Sequence, residues 1–389
     1  MIKAKTNPPV TALRSGASTV TPTTRQVLWA RAAGRCQYEG CNKPLIGDLI
    51  SGNEDRNFGF VAHIVAETPK GPRGDAIRSP LLVNDVANLM LLCHVHHKLI
   101  DVDAVDDHPE ARLLDMKRAH ESRIDIVGDI AADRASHVVR FGAQIGRHES
   151  PLSYEAIAAA MLPEHYPAHG RDLIDLEMLG CTLRDDEDAY WQLHRTNLER
   201  QFSAKIGDRL ERRAIRHLSV FALAPQPLLV LLGRLLGDIT PMVVHQLQRE
   251  PQTWRWQSDT PRIAFRERHP DATSGLPALV LGMSATLTDD RIHKAIGPDA
   301  SIWALEAENP HNDILKRADD LAAFRTRLRT MLDRIKAAHG QDTPLHVFPA
   351  LPVSAAIEVG RVTMPKADMP MVIYDQNRHR GGFIRTIEL

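Results

Sequence analysis

The chain lacks most of the features that would name a function from composition alone. Basic and acidic residues nearly cancel, 48 Lys and Arg against 49 Asp and Glu, for a formal net charge of −1. A histone-like polycation is excluded, although a local basic surface on a neutral chain is not. Aromatic residues make up only 5% of the 389. The longest apolar run, Pro227 to Leu236, is interrupted by Gly233 and Arg234 and is too short to span a bilayer. No secretory signal is visible in the polar stretch Met1 to Thr24, which is rich in Thr, Ser and Pro. Neither a Walker-type loop nor Gly-x-Gly-x-x-Gly occurs, so nothing points to a P-loop or a dinucleotide cofactor. There are four cysteines, which in a reducing compartment suggest a metal rather than disulfides. What is present, 43% apolar and 25% charged residues, predicts a soluble, cytoplasmic globular protein of two or three domains.

Residues 1–23 read as a flexible arm without apolar period. A helix is expected from the hydroxyl cap Thr23-Thr24 to about Ala33, stopped by Gly34, and another from Pro109 to Val127. Residues 129–152 read as a linker, with Gly128, Gly142 and Gly146 as hinge candidates. Beyond it, strand-like apolar segments (His217 to Leu223, Ala278 to Met283, Ile302 to Leu305, Leu345 to Phe348, Met371 to Tyr374) alternate with helical ones. The clearest helices are Leu173 to Arg195, Leu228 to Leu236 and Ile314 to Ala338. Such alternation favours α/β layers with a largely parallel sheet.

Cys36-Gln-Tyr-Glu-Gly-Cys41 and Cys93-His-Val-His96 are two ligand pairs, each spaced to reach one ion from a tight turn. Thiolate and imidazole suit tetrahedral Zn²⁺, and a closed site of Cys36, Cys41, Cys93 and His96 would staple two loops and supply folding free energy. Cys181 has no such neighbour and reads as a core residue. On a helix His97 points about 100° away from His96 and is free for a second role, with Asp101 on its own face.

His63 sits in the strand-like run Phe60-Val-Ala-His63-Ile-Val. A Pro/Gly-rich loop follows, then Asn88-Leu-Met-Leu-Leu-Cys93, then His97, and later Leu114-Asp-Met-Lys-Arg-Ala-His120. Over residues 24–128 this His–Asn–His order, wrapped by two zinc half-sites, resembles the HNH (ββα-metal) endonucleases. The resemblance implies that His63 is the general base, that His97 binds a catalytic Mg²⁺ (Mn²⁺ being the alternative), and that Asn88 orients the His63 loop or the ion. Many members of that family carry a ligand just before the first His, where this chain has Ala62. Asp48 and Asp101 are the candidates to replace it. Lys43, Lys70, Arg73, Arg78 and Lys98 lie near these motifs and are candidates to neutralise the phosphates of double-stranded DNA. With no recognition helix evident, little sequence specificity is expected.

Residues 153–389 carry Leu218-Ser-Val-Phe-Ala-Leu-Ala-Pro-Gln-Pro227, Leu279-Val-Leu-Gly-Met-Ser-Ala-Thr286, His346-Val-Phe-Pro-Ala-Leu-Pro-Val-Ser354 and Ile373-Tyr-Asp-Gln-Asn377. In this order they resemble a SAVED domain, the sensor module of cyclic-oligonucleotide antiphage signalling (CBASS) in bacteria. The resemblance implies two fused CARF-like α/β subdomains sharing one pocket. The order HNH then SAVED implies an effector nuclease triggered by a cyclic dinucleotide that drives oligomerisation, a tetramer by resemblance. The whole chain is thus expected to be α+β in its nuclease domain (24–128) and α/β in its sensor (153–389). Strand ends in α/β sheets bind ligands, so Gln226 and Ser354 become pocket candidates. Trp254, Trp256 and Tyr374 are candidates to stack on bases, and Arg262, Arg361 and Lys366 to meet phosphates. Two other readings use the same residues: an HNH restriction endonuclease that reads modified DNA, and a zinc-stapled nucleic-acid-binding module with no catalysis.

Overall fold

Two compact units divide the chain, Met1–Ile130 and Ala131–Leu389. The computed structural model describes residues 20–47, 56–142, 152–176 and 183–389. Asp48, Gly146 and Cys181, and residues 1–19 of the expected arm, lie outside the described residues.

In the first unit, helix α1 (Pro22–Arg31) starts earlier than the Thr23-Thr24 cap predicts. Thr21 is the N-cap, its Oγ1 accepting from the Thr24 amide at 3.2 Å, and Pro22 fills the first helical position, where no amide hydrogen is needed. Strands β1 (Gly59–His63) and β2 (Leu89–Cys93) pair antiparallel, Gly59 opposite Cys93 and His63 opposite Leu89. A short helix α2 (Arg78–Leu82) lies between them in sequence. β2 is apolar at every position and buried at every position. It runs without a break into α3 (His94–Lys98), a wider π-type turn (Leu99–Asp103) and, after a loop, α4 (Glu110–Gly128). One core joins Leu28 of α1 and its cap residue Ala32, Ala62, the Leu89–Leu92 run, Ile100, and Leu113 and Met116 of α4.

The second unit begins where a linker was expected. Ala135–Gly142 is strand β3, and Val138, Val139, Phe141 and Gly142 are buried within it. A buried strand residue cannot act as a hinge, so Gly142 is not one. The interspersed polar residues that disguised the strand are satisfied inside the fold: Ser136 Oγ meets Ser219 Oγ at 2.8 Å, and Arg140 pairs with Asp175. After α5 (Tyr154–Met161) and the two-residue strands β4 (Tyr166–Pro167) and β5 (Ile174–Asp175) come α6 (Asp188–Phe202) and α7 (Asp208–Glu211). The helix expected from Leu173 therefore starts only at Asp188, because Ile174 is drawn into the sheet beside Val139. Next are β6 (Leu218–Leu223), α8 (Gln226–Leu236), β7 (Met242–Val244), β8 (Phe265–Arg268), β9 (Pro277–Gly282) and α9 (Asp289–Ile296). The unit closes with β10 (Ser301–Ala307), α10 (Ala318–His339), β11 (Leu345–Ala350), α11 (Val353–Val362), β12 (Met371–Asn377) and β13 (Gly382–Glu388).

These strands form two sheets. One is parallel, in the order β4-β3-β6-β7 with β5 also on β3. The other runs β13-β12-β11-β9-β10-β8, with a parallel centre and antiparallel edges β13 and β8. The central strands read as unbroken apolar runs because both their faces are covered. A shared core takes Val139, Leu218 and Val220 from the first sheet, Leu279, Leu281 and Val347 from the second, and the apolar faces of α8, α10 and α11. The outer faces have their own cores, around Phe221 and Trp254 on one sheet and around Phe348 and Tyr374 on the other.

Helices α8 and α11 cross at two glycines. A Cβ built on Gly233 would fall on the Ile357 carbonyl oxygen, and one on Gly360 on the Val230 carbonyl oxygen. Both atoms are backbone, so neither side yields cheaply. Gly233→Ala or Gly360→Ala should therefore destabilise this unit by about 1–3 kcal/mol or more. Thermal melting of the full chain checks this; an unchanged melting profile would show that the helices separate without cost.

Candidate functional site

The first unit gathers its chemistry where β2 becomes α3. Gln37 docks the Cys36–Cys41 turn on β2: its amide donates to the Leu91 carbonyl at 2.9 Å, and its side-chain oxygen accepts from the Leu91 amide at 2.7 Å. That register brings Cys36 beside Cys93, whose amide points at Cys36 Sγ at 3.4 Å. One turn of α3 then carries His96 back, its Nδ1 at 3.2 Å from Cys93 Sγ and 3.6 Å from Cys36 Sγ. With Cys41, the four donor atoms all lie within 4.8 Å of one another. Tyr38 stacks flat on His96, ring centroids 4.0 Å apart, and its hydroxyl meets His108 Nε2 at 2.9 Å. Burial pushes the Cys36 thiol up to about 12, so a thiolate there needs a cation beside it. Three sulfurs and one nitrogen at these separations fit a tetrahedral Zn²⁺ and would close its coordination shell.

His97 leaves the same helix on another face. Its ring stacks on Phe60 of β1, centroids 5.2 Å apart, and its Nε2 faces Asp101 Oδ2 at 3.6 Å. Burial lowers its pKa against the pull of Asp101, which favours the neutral, metal-ligating form. His63 ends β1, half-buried, with Nε2 at 3.1 Å from the Val83 carbonyl. A carbonyl only accepts, so Nε2 donates in that contact, and Nδ1 is the ring nitrogen not engaged by it. Asn88 is 5% exposed and holds the residues that follow His63. Its carbonyl accepts from Ile64, its Oδ1 from Val65 at 2.8 Å, and its Nδ2 donates to the Val65 carbonyl at 2.9 Å. Removing that side chain would strand two buried backbone groups at about 1–3 kcal/mol each. Asn88 is thus a positioning residue and touches no open space of its own.

One expected role fails. Arg73 is not free for DNA: its side chain is 8% exposed and ion-paired to Asp101 Oδ1 at 2.7 Å. Asp101 in turn has Oδ1 committed to Arg73, while its Oδ2 lies 3.6 Å from His97 Nε2. Lys43 and Lys70 are exposed, Lys98 is exposed and paired with Asp103 at 2.9 Å, and Arg78 grips Glu110.

In the second unit the carboxyl ends of the two sheets meet. The Leu351 amide donates to Gln226 Oε1 at 3.0 Å, and the Ser354 amide and hydroxyl both donate to Gln246 Oε1 at 3.0 and 2.9 Å. Gln226 and Ser354 thus stand at the amino ends of α8 and α11, where they brace the strand-end loops, and Ser354 is fully buried. Arg262 lines a cavity of about 380 Å³ at the carboxyl end of β10, with Thr260, Ala307, Asn309, His311 and Lys316. Trp256 is half-buried against the shared core. The other candidates are elsewhere. Trp254 is a core residue edge-on to Phe221 at 5.4 Å. Tyr374 is buried against Phe348, and its hydroxyl meets His346 Nδ1 at 3.0 Å. Arg361 is buried in an ion pair with Glu358. Lys366 is in the loop entering β12, at the amino edge of the sheet, away from the strand ends that meet. Gln246 was missed because a lone Gln after a three-residue strand carries no pattern.

Residues 198–389 match the model of the SAVED family, described as "SMODS-associated and fused to various effectors sensor domain". This part of the chain is a SAVED domain. Among curated proteins none matches. Solved structures that match the chain include the Acinetobacter baumannii Cap4 SAVED/CARF-domain containing receptor. With the cyclic trinucleotide 2′3′3′-cAAA it scores a TM-score of 0.42 at 13% identity, over 71% of this chain and 56% of that one. Another structure of that receptor scores 0.41 at 12%, over 81% and 65%. The Moraxella osloensis Cap4 receptor scores 0.40 at 13%, over 71% and 54%. The matches thus cover less than two thirds of these receptors' length. Likeness at this level says nothing of ligand or assembly in this chain. Among the described residues no helix is long and apolar enough to cross a membrane.

If the Cys36 cluster holds a structural metal, chelation of the full chain or Cys36→Ser should release one equivalent of Zn²⁺ and unfold the first unit. Elemental analysis beside thermal melting checks this. A Cys36→Ser chain free of zinc with an unaltered first transition would contradict it.

Proposed function

We propose that the chain is an effector of CBASS type: a metal-dependent endonuclease of HNH type that cuts double-stranded DNA, fused to a SAVED sensor that binds a cyclic oligonucleotide. The observation that carries the nuclease reading is that His97, turned away from the zinc donors, packs on β1, the strand that His63 ends. His63 Nε2 is tied to the Val83 carbonyl, and Asn88 clamps the loop after His63. Support for the sensor is the SAVED match, with its fusion to effectors, and the convergence of strand-end loops of two α/β sheets.

In this reading His63 Nδ1 takes a proton from the attacking water while its Nε2 stays tied to the Val83 carbonyl, so the ring keeps one orientation through the step. His97 is the ligand that the chain itself offers to a hard divalent ion. Such an ion, Mg²⁺ in the cell, neutralises the scissile phosphate and stabilises the leaving oxygen when bound. Lys43 and Lys70, both exposed, supply sequence-independent attraction to phosphate in this reading. Structural Zn²⁺ in the Cys36, Cys41, Cys93, His96 cluster fixes β2 and α3 so that His97 cannot drift. The cavity that Arg262 lines at the carboxyl end of β10, with Asn309, His311 and Lys316, is the polar ground that this reading offers a cyclic dinucleotide or trinucleotide. Ligand binding then selects an assembled state, a tetramer in this reading, in which the nuclease units act.

His63→Ala should lower plasmid cutting in Mg²⁺ by about 10²–10⁴-fold. Zinc content and calorimetric binding of the activating cyclic nucleotide should not change. Cutting by His63→Ala at the wild-type rate would remove His63 as the base.

A further inference from the structure

We infer that Arg73 is a positioning residue that locks the His63 loop to the helix carrying His97, an inference that rests on the nuclease reading. Its guanidinium lies between the two. Nε donates to the Ile64 carbonyl at 2.6 Å, the residue directly after His63. One terminal nitrogen donates to the Ile100 carbonyl at 2.8 Å and, more weakly, to the His108 carbonyl at 3.5 Å. The other donates to Asp101 Oδ1 at 2.7 Å, and Asp101 Oδ2 faces His97. A continuous path thus runs from His63 through Ile64, Arg73 and Asp101 to His97.

The backbone is shaped for this. Arg73 has φ of +54°, a left-handed conformation that a side chain with a Cβ adopts at a cost. The loop folds back on itself, the Ala66 amide donating to the Pro72 carbonyl at 3.2 Å, which turns Arg73 inward toward Ile64. Burial argues against a phosphate contact: the side chain is 8% exposed, and four of its five N–H groups point at one carboxylate and three carbonyls. Lysine could not substitute: an ammonium is a compact point donor, whereas these acceptors lie along the arms of a planar fork. Asn88 holds Ile64 and Val65 by their amides and the Val65 carbonyl, and Arg73 takes the remaining Ile64 carbonyl. The two side chains therefore hold the general-base loop through different backbone atoms.

The test uses the full chain as wild type, Arg73→Lys, Arg73→Gln and Asp101→Asn. Plasmid cutting is measured in Mg²⁺ with cyclic di- and trinucleotides supplied one at a time. Misplacement of the reacting groups should lower kcat about 100-fold in all three variants, with KM for DNA and its salt dependence near wild type and zinc content unchanged. A phosphate contact would instead raise KM and flatten the salt dependence. Asp101→Asn leaves the backbone bonds of Arg73 in place, so it decides the matter if Arg73→Gln does not fold. Wild-type cutting equalled by Arg73→Lys and Asp101→Asn overturns the positioning role and leaves the nuclease reading standing. A wild-type chain that cuts nothing overturns the reading and the role together.

Discussion

Everything proposed for the first unit depends on the direction change at Cys93. There a strand buried along its whole length ends, and a helix begins with no intervening loop. Because the turn is immediate, three consecutive jobs fall to neighbouring residues. Cys93 stays with the hairpin and completes a sulfur pair with Cys36, His96 returns one helical turn later to the same cluster, and His97 emerges on the face of Phe60 and β1. A metal held by these four donors would be stiff, so the helix could not rotate about its axis without breaking a ligand bond. In the proposed reading the cluster takes no part in the reaction, yet it would set where His97 points.

Much of that was legible in the residues. Cysteine and histidine pairs at metal spacing are rare by chance, and the alternation of 100° per residue separates His96 from His97 on paper as it does in space. What was not legible concerns charge. Arg73 and Asp101 look alike in sequence to exposed neighbours such as Lys70, because the sequence alone does not show which charged side chain a glycine-rich loop turns inward. Only the folded loop, with its left-handed Arg73, distinguishes a buried fork from a solvated one. The same blindness hid β3, whose polar residues are matched across the sheet by Ser219 and Asp175 far along the chain.

In the second unit the constraint is the close crossing of α8 and α11 at Gly233 and Gly360, which lets one helical layer serve two sheets. The apolar strands announced themselves, since parallel strands covered on both faces need no alternation. The aromatic residues did not. Trp254 and Tyr374 were conspicuous because aromatics are scarce, and scarcity suggested a ligand; instead they anchor the two outer cores, where large side chains bury the most area. The strand-end loops, with Gln226, Gln246 and Ser354 joining the two sheets, now mark the polar ground of the sensor better than any aromatic does.

Coupling between sensing and cutting is the central claim, and one measurement bears on it most directly. Supercoiled plasmid is incubated with the full chain and Mg²⁺, alone and with each of a panel of cyclic di- and trinucleotides at nanomolar to micromolar concentration. The account predicts intact plasmid without ligand and rapid fragmentation with one member of the panel. Equal cutting with and without every ligand would contradict it, leaving a nuclease that the SAVED domain does not control.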